Sequence, residues 1–104
     1  MSYEKNVIKI NGEDKGKVFL FTLSTCIWCK KTKELLSALG VAYSYVDVDL
    51  VQDDSREEVI GDLHKYNPSS SFPTIVIGDG EKVILGFEED QIRECFESGK
   101  RENQ

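Results

Sequence analysis

Val18-Phe19-Leu20-Phe21-Thr22-Leu23-Ser24-Thr25-Cys26-Ile27-Trp28-Cys29 is the stretch that decides how this chain folds. Val18–Leu23 is apolar at nearly every position, as a strand buried on both faces requires. A helical pattern opens at the cysteines and runs to Leu39, with Leu35, Leu36 and Leu39 as its buried stripe. Gly40 supplies the stop, because glycine takes the left-handed conformation at low cost. Two thiols separated by two residues can close a small disulfide ring. At a helix start they can also open it, since the helix N-terminus favours the thiolate over the thiol. This placement points to thiol–disulfide exchange. Cys26, at the strand-to-helix junction, is expected to face solvent and the first free amides and to attack. Cys29, one turn on, is expected to be less exposed and to resolve. Lys30 and Lys31 follow and either add positive charge near the sulfur or are simply solvated.

The bulk composition sets bounds on this reading. The chain has 104 residues, one domain's worth. It is 39% hydrophobic and 31% charged, ordinary for a globular protein. Nineteen acidic against thirteen basic residues give a net charge of -6, which argues against non-specific binding to nucleic acid or anionic lipid. No stretch approaches the roughly 20 apolar residues of a membrane span. The polar start Met1–Asn6 lacks the apolar core of a secretory signal, so the expected location is the cytoplasm. Three cysteines, an odd number, make no structural disulfide framework, which fits that compartment.

Residues 1–16 read as a polar N-terminal extension in which Val7–Ile10 either adds an edge strand or leads in. Residues 17–99 read as the domain and 100–104 as a polar tail. Val46, Val48 and Leu50 alternate with Asp47 and Asp49, so a second strand is expected over Tyr43–Leu50. Ser55-Arg56-Glu57-Glu58 fits a capping box for a second helix. Val59, Ile60 and Leu63 give that helix its apolar face, and Asn67-Pro68 ends it. Thr74–Ile77 and Val83–Leu85 flank Gly78-Asp79-Gly80 as a hairpin. Glu88, Glu89 and Asp90 crowd the first turn of a last helix, where negative charge is favourable, and Gly99 is expected to close it. The order β-α-β-α-β-β-α makes the first two strands parallel and the last two an antiparallel hairpin. This is an α/β chain with a mixed four-stranded sheet, a candidate extra N-terminal strand, and helices on both faces. Its order is similar to the thioredoxin fold in its compact glutaredoxin form.

Pro73 leads the third strand in Ser71-Phe72-Pro73-Thr74. In company with the cysteine pair, a cis Phe72-Pro73 bond is expected there. Such a turn would lie against the cysteines and leave the Phe72 backbone free to pair with a substrate strand. Trp28, Ile27, Phe72 and Phe87 are candidates for an apolar rim around the thiols, or for core. Cys95 falls on the apolar stripe between Ile92 and Phe96 and is expected to pack as a small hydrophobe. His64 is expected to cap or pack the second helix. The competing chemistry for the pair is half of a zinc site, but no second pair with the right spacing follows. An iron–sulfur cluster would need thiols from two chains, since one chain offers at most three.

With these pieces in place, residues 17–98 resemble the glutaredoxin family. The matching segments are Phe21–Lys30, Tyr45–Asp49, Phe72-Pro73-Thr74 and Gly86-Phe87-Glu88-Glu89-Asp90, in that order and spacing. The resemblance implies a dithiol oxidoreductase with Cys26 as nucleophile, Cys29 as resolver and Pro73 cis. It puts substrate contacts at Thr25, Ile27, Trp28, Lys30, Phe72, Pro73, Gly86, Phe87 and Glu88. It implies no tightly bound cofactor and an external reductant, a thiol such as glutathione or a thioredoxin-reductase-type enzyme. A glutathione-dependent glutaredoxin, or a metal or iron–sulfur cluster carrier using the same thiols, is the alternative. A monomer is expected because nothing suggests a large interface.

Three departures bear on that reductant. Leu23 stands where glutathione-using members carry a basic residue for the glutathione carboxylate. Ile27-Trp28 replaces proline-tyrosine between the cysteines, and Gly86-Phe87 replaces a Gly-Gly pair. Gly-Phe-x-x-Asp together with Cys-x-x-Cys-Lys-x-Thr-Lys is more similar to the glutaredoxin-like hydrogen donors of ribonucleotide reductase. It is also similar to glutaredoxin-like proteins of anaerobes. These imply electrons from a thioredoxin-reductase-type enzyme or another small thiol, and disulfide-containing partners that include ribonucleotide reductase.

Overall fold

The sheet is built around β2 (Val18–Thr22), the apolar run just before the cysteines. In the computed structural model, which describes residues 2–102 with side chains through 96, β2 has a neighbour on each side. β3 (Tyr43–Asp47) runs parallel to it and β4 (Thr74–Ile77) antiparallel. β5 (Lys82–Leu85) pairs antiparallel with β4 as the expected hairpin. The segment left open by the sequence does form a strand: β1 (Ile8–Ile10) pairs antiparallel with β3. The order across the sheet is β1-β3-β2-β4-β5.

Successive residues of a strand face opposite sides, and the two faces are covered by different helices. On one side Leu20, Ile75 and Ile84 meet Leu35 and Leu36 of α1 (Ile27–Ala38) and Ile92 and Phe96 of α3 (Glu89–Glu102). On the other side Phe21, Val46 and Val76 meet Val59 and Leu63 of α2 (Asp53–Tyr66). Both layers draw on the central strands, so β2 is closed in from both faces. Gly40 has φ +73 and follows the last turn of α1, as its sequence role requires. Among the described residues no helix is long and apolar enough to cross a membrane.

Three local expectations need correction. β3 stops at Asp47, and Val48–Leu50 forms a 3-10 turn where a strand was expected to reach Leu50. Val46, Val48 and Val51 all reach the same core layer, so the turn serves the buried valines while Leu50 stays exposed. The Ser55/Glu58 capping box does not form. α2 begins three residues earlier, and its N-cap Gln52 makes no side-chain bond. Ser55 and Glu58 bind the N-terminal segment instead: the Ser55 hydroxyl donates to the Ser2 carbonyl (3.3 Å), and Glu58 accepts the Ser2 N–H (2.8 Å). Finally, α3 continues through Gly99 to Glu102.

That N-terminal segment is an integral part of the packing. Tyr3 is buried in the α2 layer and donates its hydroxyl to Asp62 at 2.6 Å. Burial and Asp62 together push the Tyr3 phenol far above its ordinary range. Further on, Glu13 bridges Val41 in parallel, its N–H reaching the Gly40 carbonyl (2.7 Å) and its carbonyl accepting from the Ala42 N–H (2.9 Å). Gly12 passes so close that a Cβ there would sit 2.6 Å from the Ala42 nitrogen.

Candidate active site

Cys26 is the N-cap of α1. Its backbone is extended while its carbonyl already accepts the N–H of Lys30 (3.1 Å), and its own N–H turns back to the Leu23 carbonyl (3.2 Å). A cap side chain normally satisfies one of the free amides of the first turn. Here the sulfur does so, accepting the Cys29 N–H at 3.1 Å. The expectation that Cys26 faces the first amides is met, and its side chain remains partly exposed. The turn that delivers it is fixed from outside. Asp49 accepts both the Ser24 N–H (2.9 Å) and the Ser24 hydroxyl (2.5 Å).

Cys29 is fully buried. Burial is the main reason its thiol is pushed up to about 12, with the neighbouring Cys26 sulfur adding to it. The Leu23 backbone N–H and the Lys33 ammonium pull the other way. The two thiols are both free and differ sharply in environment.

Behind the pair lies a polar cluster that the sequence reading did not single out. The Thr22 hydroxyl, fully buried at the end of β2, lies 2.6 Å from Asp47 Oδ1 and 3.1 Å from the Val46 carbonyl. Lys33 Nζ lies 3.5 Å from the same Asp47 oxygen and 3.7 Å above the Tyr45 ring. Lys30 and Lys31 are exposed on α1 and have no such anchor among the described contacts.

The other predicted residues gather on two sides. The β2–β4 register pairs Phe21 with Thr74, which brings the start of β4, and hence Pro73, to the end of β2 that carries the cysteine turn. The Phe72-Pro73 bond is cis and Pro73 is buried. The Pro73 carbonyl accepts the Gly86 N–H at 2.7 Å. Gly86 has φ +83, a conformation that suits glycine, and the next residue, Phe87, stacks on Trp28 with ring centroids 5.7 Å apart. Trp28 and Ile27 are more than half exposed. Thr25 and Glu88 are also exposed, in the turns before α1 and α3. Phe72 does not join the Trp28–Phe87 pair. It packs on the α2 layer, with Leu23, Val48 and Ile60 lining the adjacent groove.

The loop bearing Pro73 has an organiser that the sequence hid. Asn67 is buried and donates through Nδ2 to the Ser71 carbonyl and hydroxyl and to Thr74 Oγ1 (2.9–3.1 Å). Its Oδ1 accepts the Ser69 N–H and hydroxyl. Asn-Pro reads only as a helix stop, and no composition signal tells a buried asparagine from a solvated one.

Of the other sequence candidates, Cys95 packs half-buried against the α1/α3 layer, as expected, and His64 is exposed in the last turn of α2. Among the described residues no group of three or more histidine, cysteine or carboxylate side chains could hold a metal ion.

The glutaredoxin family model matches residues 18–83, well over half of the chain. The chain belongs to the glutaredoxin family. Like its relatives, it is a thiol–disulfide oxidoreductase with the thioredoxin fold. A glutaredoxin-like 8.6 kDa protein in the rubredoxin operon of Clostridium pasteurianum is 36% identical over 78 residues, covering 75% of this chain and 95% of its own. The crystal structure of a glutaredoxin from Methanosarcina mazei superposes with a TM-score of 0.79 at 47% identity, covering 88% of this chain and 87% of that one. Methanoredoxin of Methanosarcina acetivorans gives 0.77 at 49% identity, covering 82% and 88%. The family model's match begins at Val18, after β1, and so does not include the N-terminal segment.

Proposed function

We propose that this glutaredoxin-family protein reduces protein disulfides and mixed disulfides by a dithiol route, with Cys26 attacking and Cys29 resolving. The asymmetry of the pair carries the reading: Cys26 is partly exposed at a helix N-cap, and Cys29 is buried and held protonated. The Cys26 thiolate attacks one sulfur of the substrate disulfide, and the other leaves as a thiolate. Cys29 then gives its proton to solvent and attacks the Cys26 sulfur. The Cys26–Cys29 bond forms and the second substrate sulfur departs reduced. The mixed disulfide removes the Cys26 charge that opposed Cys29 ionisation, so the resolver ionises more readily once there is something to resolve, with burial still opposing it.

Two electrons must then come from outside. The reading favours a low-molecular-weight thiol other than glutathione, or a thioredoxin-reductase-type enzyme. Leu23, in place of a basic residue, packs on the core, and the Phe87 ring lies against Trp28 where a second glycine would leave space. Ribonucleotide reductase is among the disulfide partners this reading includes, and the cytoplasm is its working compartment.

Trp28, the only tryptophan, sits between the cysteines and reports the test. The oxidised protein is titrated with reduced glutathione while its fluorescence is followed, with a dithiol as control. Recovery of the reduced signal by the dithiol alone is the expected result. Recovery with glutathione at physiological concentration would make glutathione the donor. Cys26→Ser should lose all turnover and Cys29→Ser should trap the mixed disulfide. Full activity of Cys26→Ser would overturn the assignment.

A further inference from the structure

We propose that Lys33 is the positioning residue of the resolving step, a fixed cation that brings Cys29 into its reactive form once Cys26 is engaged. The inference rests on the dithiol reading above and deepens it. Lys33 follows Cys29 by four residues on α1, so the two lie on one face, and helical side chains lean toward the N-terminus, carrying the lysine stem toward the Cys29 turn. Unlike Lys30 and Lys31, this lysine is not free in water. Its side chain is 23% exposed and that of its partner Asp47 is 14% exposed. The ammonium is held from β3 twice, by the Asp47 carboxylate at 3.5 Å and by the Tyr45 ring at 3.7 Å. Asp47 is in turn braced by the buried Thr22 hydroxyl at the end of β2. A charge fixed in a half-buried site is screened less than one on the surface.

Burial is the largest influence on Cys29, and named groups act beside it. Cys26 bears on it from the turn, the Leu23 N–H from the end of β2, and Lys33 from its own helix, with Asp47 and Tyr45 of β3 around the ammonium. Cys26 disfavours the Cys29 thiolate, and its charge disappears when it is bonded to substrate sulfur. Burial still opposes the Cys29 thiolate, and Leu23 and Lys33 are then the groups that favour it. The step itself is unchanged in its balance. The Cys29 proton goes to solvent, the Cys29–Cys26 bond forms, the Cys26–substrate bond breaks, and the electron pair leaves with the substrate sulfur.

The test uses Ellman's reagent at one equivalent on the full chain carrying Cys95→Ser. The first nitrothiobenzoate released reports attack by Cys26, and the second reports displacement by Cys29. In Lys33→Met the second phase should slow about threefold to tenfold at pH 7, and its pH profile should move to higher pH. The first phase should stay within about twofold, because Lys33 is four residues from Cys29 and seven from Cys26. Lys33→Arg should restore the second phase. A folded Lys33→Met with the wild-type second-phase pH profile, even if its melting temperature fell, would overturn the proposal and leave a purely structural lysine. If Lys33→Met does not fold, Lys33→Gln carries the same expectation. Cys29→Ser is the separate control: a second phase that persisted there would defeat the resolver assignment itself.

Discussion

Asp49 clasps Ser24 at two points, one carboxylate oxygen on the Ser24 N–H and the other on its hydroxyl. The clasp ties the turn that ends in Cys26 to the 3-10 turn after β3, so the position of the sulfur depends on a residue twenty-three places along the chain. The same hydrogen bonds, with Ser24's hydroxyl foremost, hold the Asp49 carboxyl below the usual carboxylate range. A carboxylate with a depressed folded pKa stabilises above its unfolded value of about 3.9, and that contribution is lost as pH falls through the folded value. Because Asp49 is solvent-exposed, the contribution is at most about 1 kcal/mol. Asp49→Ala should therefore lower the melting temperature by a few degrees at pH 7, with the gap from wild type closing in strong acid. Its first Ellman phase should slow about twofold to fivefold, as a loosened turn holds Cys26 less well. Parallel melts from pH 7 down to pH 2.5 and one stopped-flow trace check both.

The burial of Cys29 predicts a selective labelling pattern. Iodoacetamide at pH 8 should modify Cys26 first and leave Cys29 untouched until the protein is unfolded, which peptide mapping would read directly. A pH dependence of stability follows from the same burial. The folded Cys29 pKa, about 12, lies above the unfolded value of about 8.5. The group's contribution is thus fully present below about pH 8.5 and declines as pH rises toward the folded value. Cys29→Ala should flatten the alkaline loss of stability seen in wild type.

Trp28 and Phe87 join α1 to the loop before α3 across the mouth of the site, with rings 22° from parallel. Aromatic pairs of this kind contribute about 0.5–1.5 kcal/mol beyond the area they cover. Phe87→Ala should cost that amount and shift Trp28 emission to the red, since Trp28 loses its stacking neighbour while already half exposed. If Phe87 is also what obstructs glutathione, Phe87→Gly should accelerate glutathione-driven reduction of the oxidised protein about threefold or more. An unchanged glutathione rate would move the cause of donor choice to Leu23.

The elements that could be read from sequence were those whose signal is local. A buried strand, a capped cysteine pair, a Gly-Asp-Gly hairpin and a glycine at φ +73 each follow from neighbours within a few residues. The errors came where distant partners claim local residues. Ser55 and Glu58 look like a capping box, but the chain's own N-terminus takes both side chains, and α2 starts without them. Alternation over Val46–Leu50 looks like strand, yet a 3-10 turn also buries Val46, Val48 and Val51 in one layer, so period alone could not separate the two. Lys33 illustrates the same limit within the site. Three lysines follow Cys29 within four residues; helical spacing puts Lys33 on its face, but only tertiary contact with Asp47 and Tyr45 shows that its charge is held in place. Tyr3, in a segment that reads as polar lead-in, is buried because Asp62 of α2 satisfies its hydroxyl.

Asn67 is where a silent residue should have the largest effect. One buried side chain satisfies Ser69, Ser71 and Thr74 at once and so shapes the whole loop from the end of α2 to Pro73. Each such hydrogen bond is worth about 0.5–1.5 kcal/mol, and the partners left buried cost more when unpaired. Asn67→Ala should lose about 2–4 kcal/mol in urea unfolding. Asn67→Asp keeps the acceptor facing Ser69 but brings a carboxylate oxygen against the Ser71 carbonyl and Thr74 Oγ1. The Thr74 hydroxyl already donates to Ser71, so it has no hydrogen to offer the new oxygen. The aspartate variant should therefore be at least as unstable as the alanine. On the proposed dithiol route, Asn67→Ala should raise KM for protein substrates more than it lowers kcat, because the loop it loosens carries Phe72 and Pro73, the residues proposed to meet the substrate strand, while both cysteines stay on α1 and its cap. Equal loss in kcat with KM unchanged would instead tie Asn67 to the chemistry of the sulfurs.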